Sequence, residues 1–191
     1  EALSRFHYNG FRSLLILDPD SCRPFDSSRA GLNLGEGAAF VVLERESHAL
    51  ARGVQPLATL SGWGNACDAF HQTASSEEGI GAVLAMQAAL RRAGLQPDDI
   101  GYINAHGTGT PNNDASELAA VRSVFPTLPP LSSTKSATGH TTSASGSVEA
   151  VMCLLALQHH FLPANLHWSS AMDEDFMPVL VPTPAPQLRH V

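Results

Sequence analysis

Two short polar loops hold the residues of this sequence best suited to chemistry. The first reads Asn104-Ala105-His106-Gly107-Thr108-Gly109-Thr110-Pro111, the second Ser132-Ser133-Thr134-Lys135-Ser136-Ala137-Thr138-Gly139-His140. Each sets a His among glycines, which let backbone approach a ligand closely, and hydroxyls, which donate or accept. His106 directly follows an apolar stretch, where a merely solvated His is unusual; a core His bonded to backbone is the plain alternative. The second loop carries Lys135, the only lysine among 11 basic residues. Arg does not replace Lys where a compact point charge is needed. A Ser/Thr-rich surface loop is the alternative there. Yet the following run, Val148 to Leu157, is too apolar for the periphery, and a loop feeding a buried helix is held rigidly. Two His and one Lys form a constellation that neither loop makes alone.

These loops need elements to position them. Apolar spacing predicts a short helix from Phe6 to Leu17, stopped by Asp18-Pro19-Asp20. Ala38 to Glu44 reads as a strand buried on both faces, and Leu57 to Trp63 as a second strand. A helix is expected over Glu77 to Ala93, closed by Gly94. A strand at Ile100 to Asn104, a helix at Ala115 to Phe125, a strand at Leu131 to Thr134 and a helix at Ser147 to His160 follow. Strands alternating with helices imply βαβ units on a parallel sheet, an α/β fold. Both loops then lie at strand-to-helix junctions, facing the crevice where open α/β sheets take ligands. The proline-rich tail after Pro163 should be extended.

Composition bounds the rest. With 43% hydrophobic residues over 191 positions, the chain can bury a sizeable core. Charged residues are only 15%, against roughly 25% in an ordinary domain, which suits a chain that packs on more protein. A net charge of −7 argues against nucleic acid as a partner. The longest apolar run, Ala150 to Leu157, is far short of a membrane span. No signal peptide is evident, and the opening on Glu1 suggests a missing upstream piece. Cys22, Cys67 and Cys153 have no CxxC spacing, so a reduced, cytoplasmic setting is expected, without disulfides. No HxxxH or carboxylate–His pair stands at ligand spacing, so no metal is expected.

At this point the sequence resembles a known family. His106-Gly107-Thr108-Gly109-Thr110-Pro111 with Asp114 and Glu117, then Ser133-Thr134-Lys135-Ser136 with Gly139-His140, are similar to the second-half motifs of β-ketoacyl-acyl-carrier-protein synthases. Arg23-Pro24-Phe25-Asp26 and Gly31-Leu32-Asn33-Leu34-Gly35-Glu36-Gly37 match a further stretch in the same order. The Ser-Ser-Thr-Lys-Ser block resembles the discrete, fatty-acid-type synthases more than modular polyketide ones. Thiolases share the fold but lack this paired-His pattern.

The resemblance implies a thiolase-like fold, a layered α-β-α arrangement with a mixed sheet. Residues 1–55 would close the N-terminal half, and 56–191 would form a C-terminal half lacking its last strands. It implies decarboxylative Claisen condensation of malonyl-acyl carrier protein with an acyl thioester, in fatty acid or polyketide synthesis, without a cofactor. His106 and His140 would act as neutral donors to the enolate oxygen. Lys135 would place charge near the departing carboxylate and orient the His pair, and Glu149 would support the network. Thr108 and Thr110 would line the pantetheine arm. Asp114 and Glu117 are open between a supporting role and a helix cap with its capping-box partner. The partners implied are acyl carrier protein and a second synthase subunit, as homodimer or heterodimer. No Cys sits in the family's nucleophile setting; Cys67, with His71 four residues on, is a decoy. The chain alone is therefore expected to be an inactive internal fragment. The alternative is a non-catalytic partner like the chain-length factors, which characteristically lack the Cys but often lose the His as well.

Overall fold

The computed structural model describes residues 3–72, 74–173 and 175–191. Helix α1 runs Arg5–Ser13, capped by the Ser4 hydroxyl, which accepts the His7 N–H at 3.2 Å. It stops before Leu15, whose φ of 57° breaks the helix. Helix α2, Glu46–Ala51, was not expected from the sequence. Helix α3 is Ile80–Ala93, ended by left-handed Gly94 as expected. Strand β1, Ile103–Asn104, then leads into α4, Pro111–Val124. Strand β2, Leu131–Ser132, pairs in parallel with β1 and leads into the one-turn α5, Lys135–Thr138. Helix α6 is Ser145–His159. Strands β3, Phe161–Leu162, and β4, Thr183–Pro184, form a separate antiparallel pair, and the proline-rich stretch between them runs through a turn at 166–167 rather than fully extended.

The core packs α3 against α4 and buries Phe25, Leu118, Val121, Phe125, Leu131 and Phe176 together. Phe25 and Phe176 meet edge to face at 5.4 Å. A smaller cluster joins Tyr102, Ala156, Leu162 and Leu188 behind β1. Helix α6 is less enclosed than its apolar sequence suggests. Only Ser145 and Ala156 are buried in it, and Cys153 is half-buried.

The expected strands at 38–44 and 57–63 do not form. Phe40 is 92% exposed and Val42 87%, so the run reads as doubly buried yet is open. An apolar strand needs neighbours for its backbone groups and both its faces. Among the described residues none pairs with it. The 57–65 segment instead lies on α3 through glycines: a Cβ on Gly64 would come within 1.8 Å of the Ala85 carbonyl oxygen. Helix α4 also starts earlier than expected, because Pro111 fits the first helical position, where a missing N–H is harmless. Asp114 and Glu117 therefore lie inside the helix and do not form a cap and capping box.

Candidate active site

Both loops start at the C-terminal ends of the paired strands, so their side chains converge. The His106 and His140 rings stand 5.2 Å apart, centroid to centroid, at 87° to each other. Each is fixed differently. His106 is held by its backbone, whose N–H donates to Glu117 Oε1 at 2.7 Å, with the Gly107 N–H reaching Oε2 at 2.8 Å. Its carbonyl accepts from Lys135 Nζ at 2.6 Å, and its ring Nδ1 lies 3.2 Å from the same Nζ. An ammonium offers donors only, so this Nδ1 is an acceptor and the ring proton sits on Nε2. The third partner of Lys135 is the Glu149 carboxylate, an ion pair with Lys135 only 2% exposed. Three donors meet three partners. Lys135 thus holds His106 and pairs with Glu149, and none of its hydrogen bonds goes to His140, which its charge reaches only through space.

His140 is fixed from the N-terminal segment and from its own loop. Its backbone N–H donates to the Asn33 carbonyl at 2.7 Å, and its carbonyl accepts from Gly35 N–H at 3.1 Å. The approach is close, since a Cβ on Gly35 would stand 2.1 Å from the Thr138 carbonyl oxygen. Its Nδ1 accepts the Thr142 N–H at 3.0 Å and faces the Ser145 hydroxyl at 2.9 Å. A backbone N–H can only donate, so the proton of this ring is also on Nε2. Burial, then the charge of Lys135 and the neighbouring His140, drops His106 to a pKa of about 3. Burial, then Lys135, lowers His140 to about 4. His106 is exposed on its outer side while its ring packs against Lys135 and His140, and both rings are neutral near pH 7 with the proton on Nε2.

The supporting carboxylates tie the loops to the fold. Asp114 is fully buried and accepts the Phe25 N–H at 2.8 Å and the Gly109 N–H at 3.1 Å, with Arg29 at 3.8 Å. Burial pushes its carboxyl up, and these donors pull it down. Burial likewise raises Glu117, against the Gly107 and His106 N–H groups. Glu149 is raised by burial and lowered by Lys135. Thr108 is buried and its hydroxyl meets that of Thr110 at 2.8 Å. Gly107 and Gly109 both have positive φ; a Cβ on Gly109 would lie 2.6 Å from the Gly31 carbonyl oxygen.

Sequence reasoning missed three residues here. Asn165 bonds the Ser133 N–H at 3.0 Å and the Pro24 carbonyl at 3.0 Å, joining loop to N-terminal segment. Thr142 and Ser145 set the His140 ring; their only signal was a run of hydroxyls before an apolar helix. As for the thiols, Cys22 is buried, donates to the Thr108 carbonyl at 3.2 Å, and has its pKa raised by burial to about 11. Cys153 is likewise raised by burial to about 11. Cys67 is exposed, its sulfur accepting the Ala69 N–H at 3.4 Å. Among the described residues no three His, Cys, Asp or Glu side chains group to hold a metal ion, and no helix is long and apolar enough to cross a membrane.

An α/β frame thus brings two neutral His rings together beside the Lys135–Glu149 pair, and the comparisons name the family. The description "Beta-ketoacyl synthase, C-terminal domain" matches residues 57–169, and "Beta-ketoacyl synthase, N-terminal domain" matches 1–49. The mitochondrial 3-oxoacyl-[acyl-carrier-protein] synthase of Arabidopsis thaliana is 45% identical over 169 residues, covering 84% of this chain and 36% of the relative. The ishigamide ketosynthase/chain length factor superposes with a TM-score of 0.89 at 37% identity, covering 96% of this chain and 45% of that one. A type II polyketide ketosynthase, AntDE, in complex with its acyl-carrier protein AntF gives a TM-score of 0.91 at 26% identity, covering 96% and 48%. The chain belongs to the β-ketoacyl synthase family, with the thiolase-like fold of these neighbours. It spans about a third of the curated relative's length.

Proposed function

We propose that this chain supplies the decarboxylating half of a condensing site. The longer protein would join an acyl thioester to malonyl on a carrier protein. The single observation that carries this reading is the pair of neutral rings 5.2 Å apart, each with Nδ1 committed as an acceptor. Loss of carbon dioxide breaks the bond between the malonyl carboxylate and its central carbon. The electron pair passes to the thioester, whose oxygen becomes an enolate. Two Nε2–H donors aimed at that oxygen stabilise the charge as it forms, and one such donor is worth roughly 10²–10³ in rate. His106 and His140 take that role. Lys135 holds His106 and sets a positive charge beside it, with Glu149 balancing the charge. Glu117 and Asp114 fix the loop, and Thr108 and Thr110 face the pantetheine arm.

The acyl acceptor lies outside this chain. Cys22 and Cys153 are pushed above the thiolate range near pH 7, and Cys67 is exposed, its sulfur bonded to the Ala69 N–H. The reaction uses substrates carried as thioesters and needs no resident cofactor. We place the protein in the cytoplasm, with acyl carrier protein and a second synthase subunit as partners. The division near residue 55 separates the two halves. Retention of both His and of Lys135 favours a catalytic parent over a chain-length factor.

The test takes the 191-residue chain and the longer protein side by side. Given acyl-loaded carrier protein, the chain should show no acyl adduct by intact mass, and the longer protein one. Given malonyl carrier protein as well, the longer protein should release carbon dioxide and form a 3-oxoacyl product. An adduct on Cys67 of the chain alone would contradict this.

A further inference from the structure

The His140 ring is set by two donors, and only one belongs to the backbone. The Thr142 N–H reaches Nδ1 at 3.0 Å from a residue with φ of 47°, an unfavourable conformation for a β-branched side chain. Ser145 opens α6 with a side chain 6% exposed, and its Oγ stands 2.9 Å from the same Nδ1. Because the Thr142 N–H has already made this nitrogen an acceptor, the Ser145 hydroxyl can only donate to it. The hydroxyl of buried Thr141 lies 3.4 Å from Ser145 Oγ on its other side. The groups that face the ring with charge or a titrating proton are His106 from the loop after β1 and Lys135 from α5; Glu149 of α6 pairs with Lys135 behind them. From the 33–35 segment the ring's residue meets backbone only.

We propose that Ser145 is a positioning residue for His140: its hydroxyl donates to Nδ1 and so fixes the ring's orientation, with the proton on Nε2. This rests on the condensing-site reading above. A ring held by one donor can pivot about that bond, and a second donor from a buried side chain on a different element removes the freedom. His106 solves the same problem with Lys135. The two His are therefore clamped by unlike groups, one charged and one neutral.

The experiment compares Ser145→Ala and Ser145→Thr with the parent in the longer protein. Carbon dioxide release from malonyl carrier protein and acyl loading are measured separately, with His-selective ¹⁵N spectra and thermal unfolding. One hydrogen bond governs the position, so Ser145→Ala should slow decarboxylation roughly three- to tenfold, with KM and acyl loading unchanged. Its acid limb should move to higher pH, because protonating Nδ1 then opposes one donor instead of two. Ser145→Thr should restore the rate within about twofold. In the spectra the His140 Nδ1 resonance should move downfield in the Ala variant, towards an unbonded acceptor. An unmoved resonance, or an Ala variant with parental rate and acid limb, overturns the proposal. So does equal loss in Ala and Thr that tracks a lower unfolding temperature. If instead the parent releases no carbon dioxide, the condensing-site reading fails while the ¹⁵N shift still decides the role of Ser145.

Discussion

The loops at 104–113 and 134–146 and the segment at 38–64 are built from equally suggestive sequence, and the molecule treats them oppositely. The backbone groups of His106 and Gly107 all have named partners: Glu117 takes two N–H groups, Lys135 takes the His106 carbonyl, and Ser133 Oγ donates to the Gly107 carbonyl at 2.7 Å. Across the 38–43 run, Phe40, Val42 and Leu43 stand 73% exposed or more. The difference lies in where the partners are. The loops bond to groups within the described residues: Asn33, Gly35, Asp114, Glu117 and Glu149. The apolar run must bond sideways to a strand, and hydrophobicity cannot supply a neighbour. Local chemistry that closes on itself is fully bonded here, and local pattern that depends on a neighbour is left uncovered.

The strongest way to break this comparison is to remove the charge at its centre. Lys135→Met leaves the Glu149 carboxylate half-buried without its cation, and should cost on the order of 2–4 kcal/mol of stability in urea unfolding. Lys135→Arg keeps the charge but offers a planar fork where three divergent donors are needed, and should slow decarboxylation about tenfold or more. An Arg variant with the parental rate would return Lys135 to a loop residue. Next comes Gly109→Ala, whose φ of 79° and 2.6 Å approach to the Gly31 carbonyl oxygen leave a Cβ no room. It should cost about 2–3 kcal/mol by thermal unfolding.

Acid sharpens the comparison more gently. His106 and His140, at about 3 and about 4 folded, stay neutral while an unfolded His near 6.5 takes a proton. The unfolded state then binds more protons, so stability is full above about pH 6.5 and falls as pH drops towards the folded values. Decarboxylation, by contrast, should hold steady from about pH 8 to about pH 5. A rate midpoint near 6.5 would mean that ordinary, solvated His do the work. The smallest effect belongs to the exposed run. Phe40→Ser and Val42→Ser should change the stability of this chain by less than about 0.5 kcal/mol, while lowering its light scattering.

How much was legible in the sequence follows the same division. His106, His140 and Lys135 stood out by residue type and loop position, and α3, α4 and α6 by spacing and by stops such as Gly94. The start of helix α4 is not legible because Pro111 reads as part of the loop although it is the first helical residue, which is also why Asp114 and Glu117 stay open between a cap and a supporting role. Asn165 has no signal in the sequence, and Ser145 has only its place in a run of hydroxyls. Each acts through a contact made by folding, Asn165 across to Pro24 and Ser133, Ser145 back onto a ring five residues earlier. The strands at 38–44 and 57–63 were misread because an all-apolar run states a need for cover and not its source.

The central claim is that two neutral His, held by Lys135 on one side and by Thr142 and Ser145 on the other, stabilise the enolate and do nothing for acyl loading. It is tested most directly by His106→Ala and His140→Ala in the longer protein, with labelled acyl transfer and carbon dioxide release measured as separate rates. The account predicts loading within about twofold of the parent and decarboxylation down roughly 10²–10³-fold in each variant. Decarboxylation within tenfold of the parent in both would contradict it.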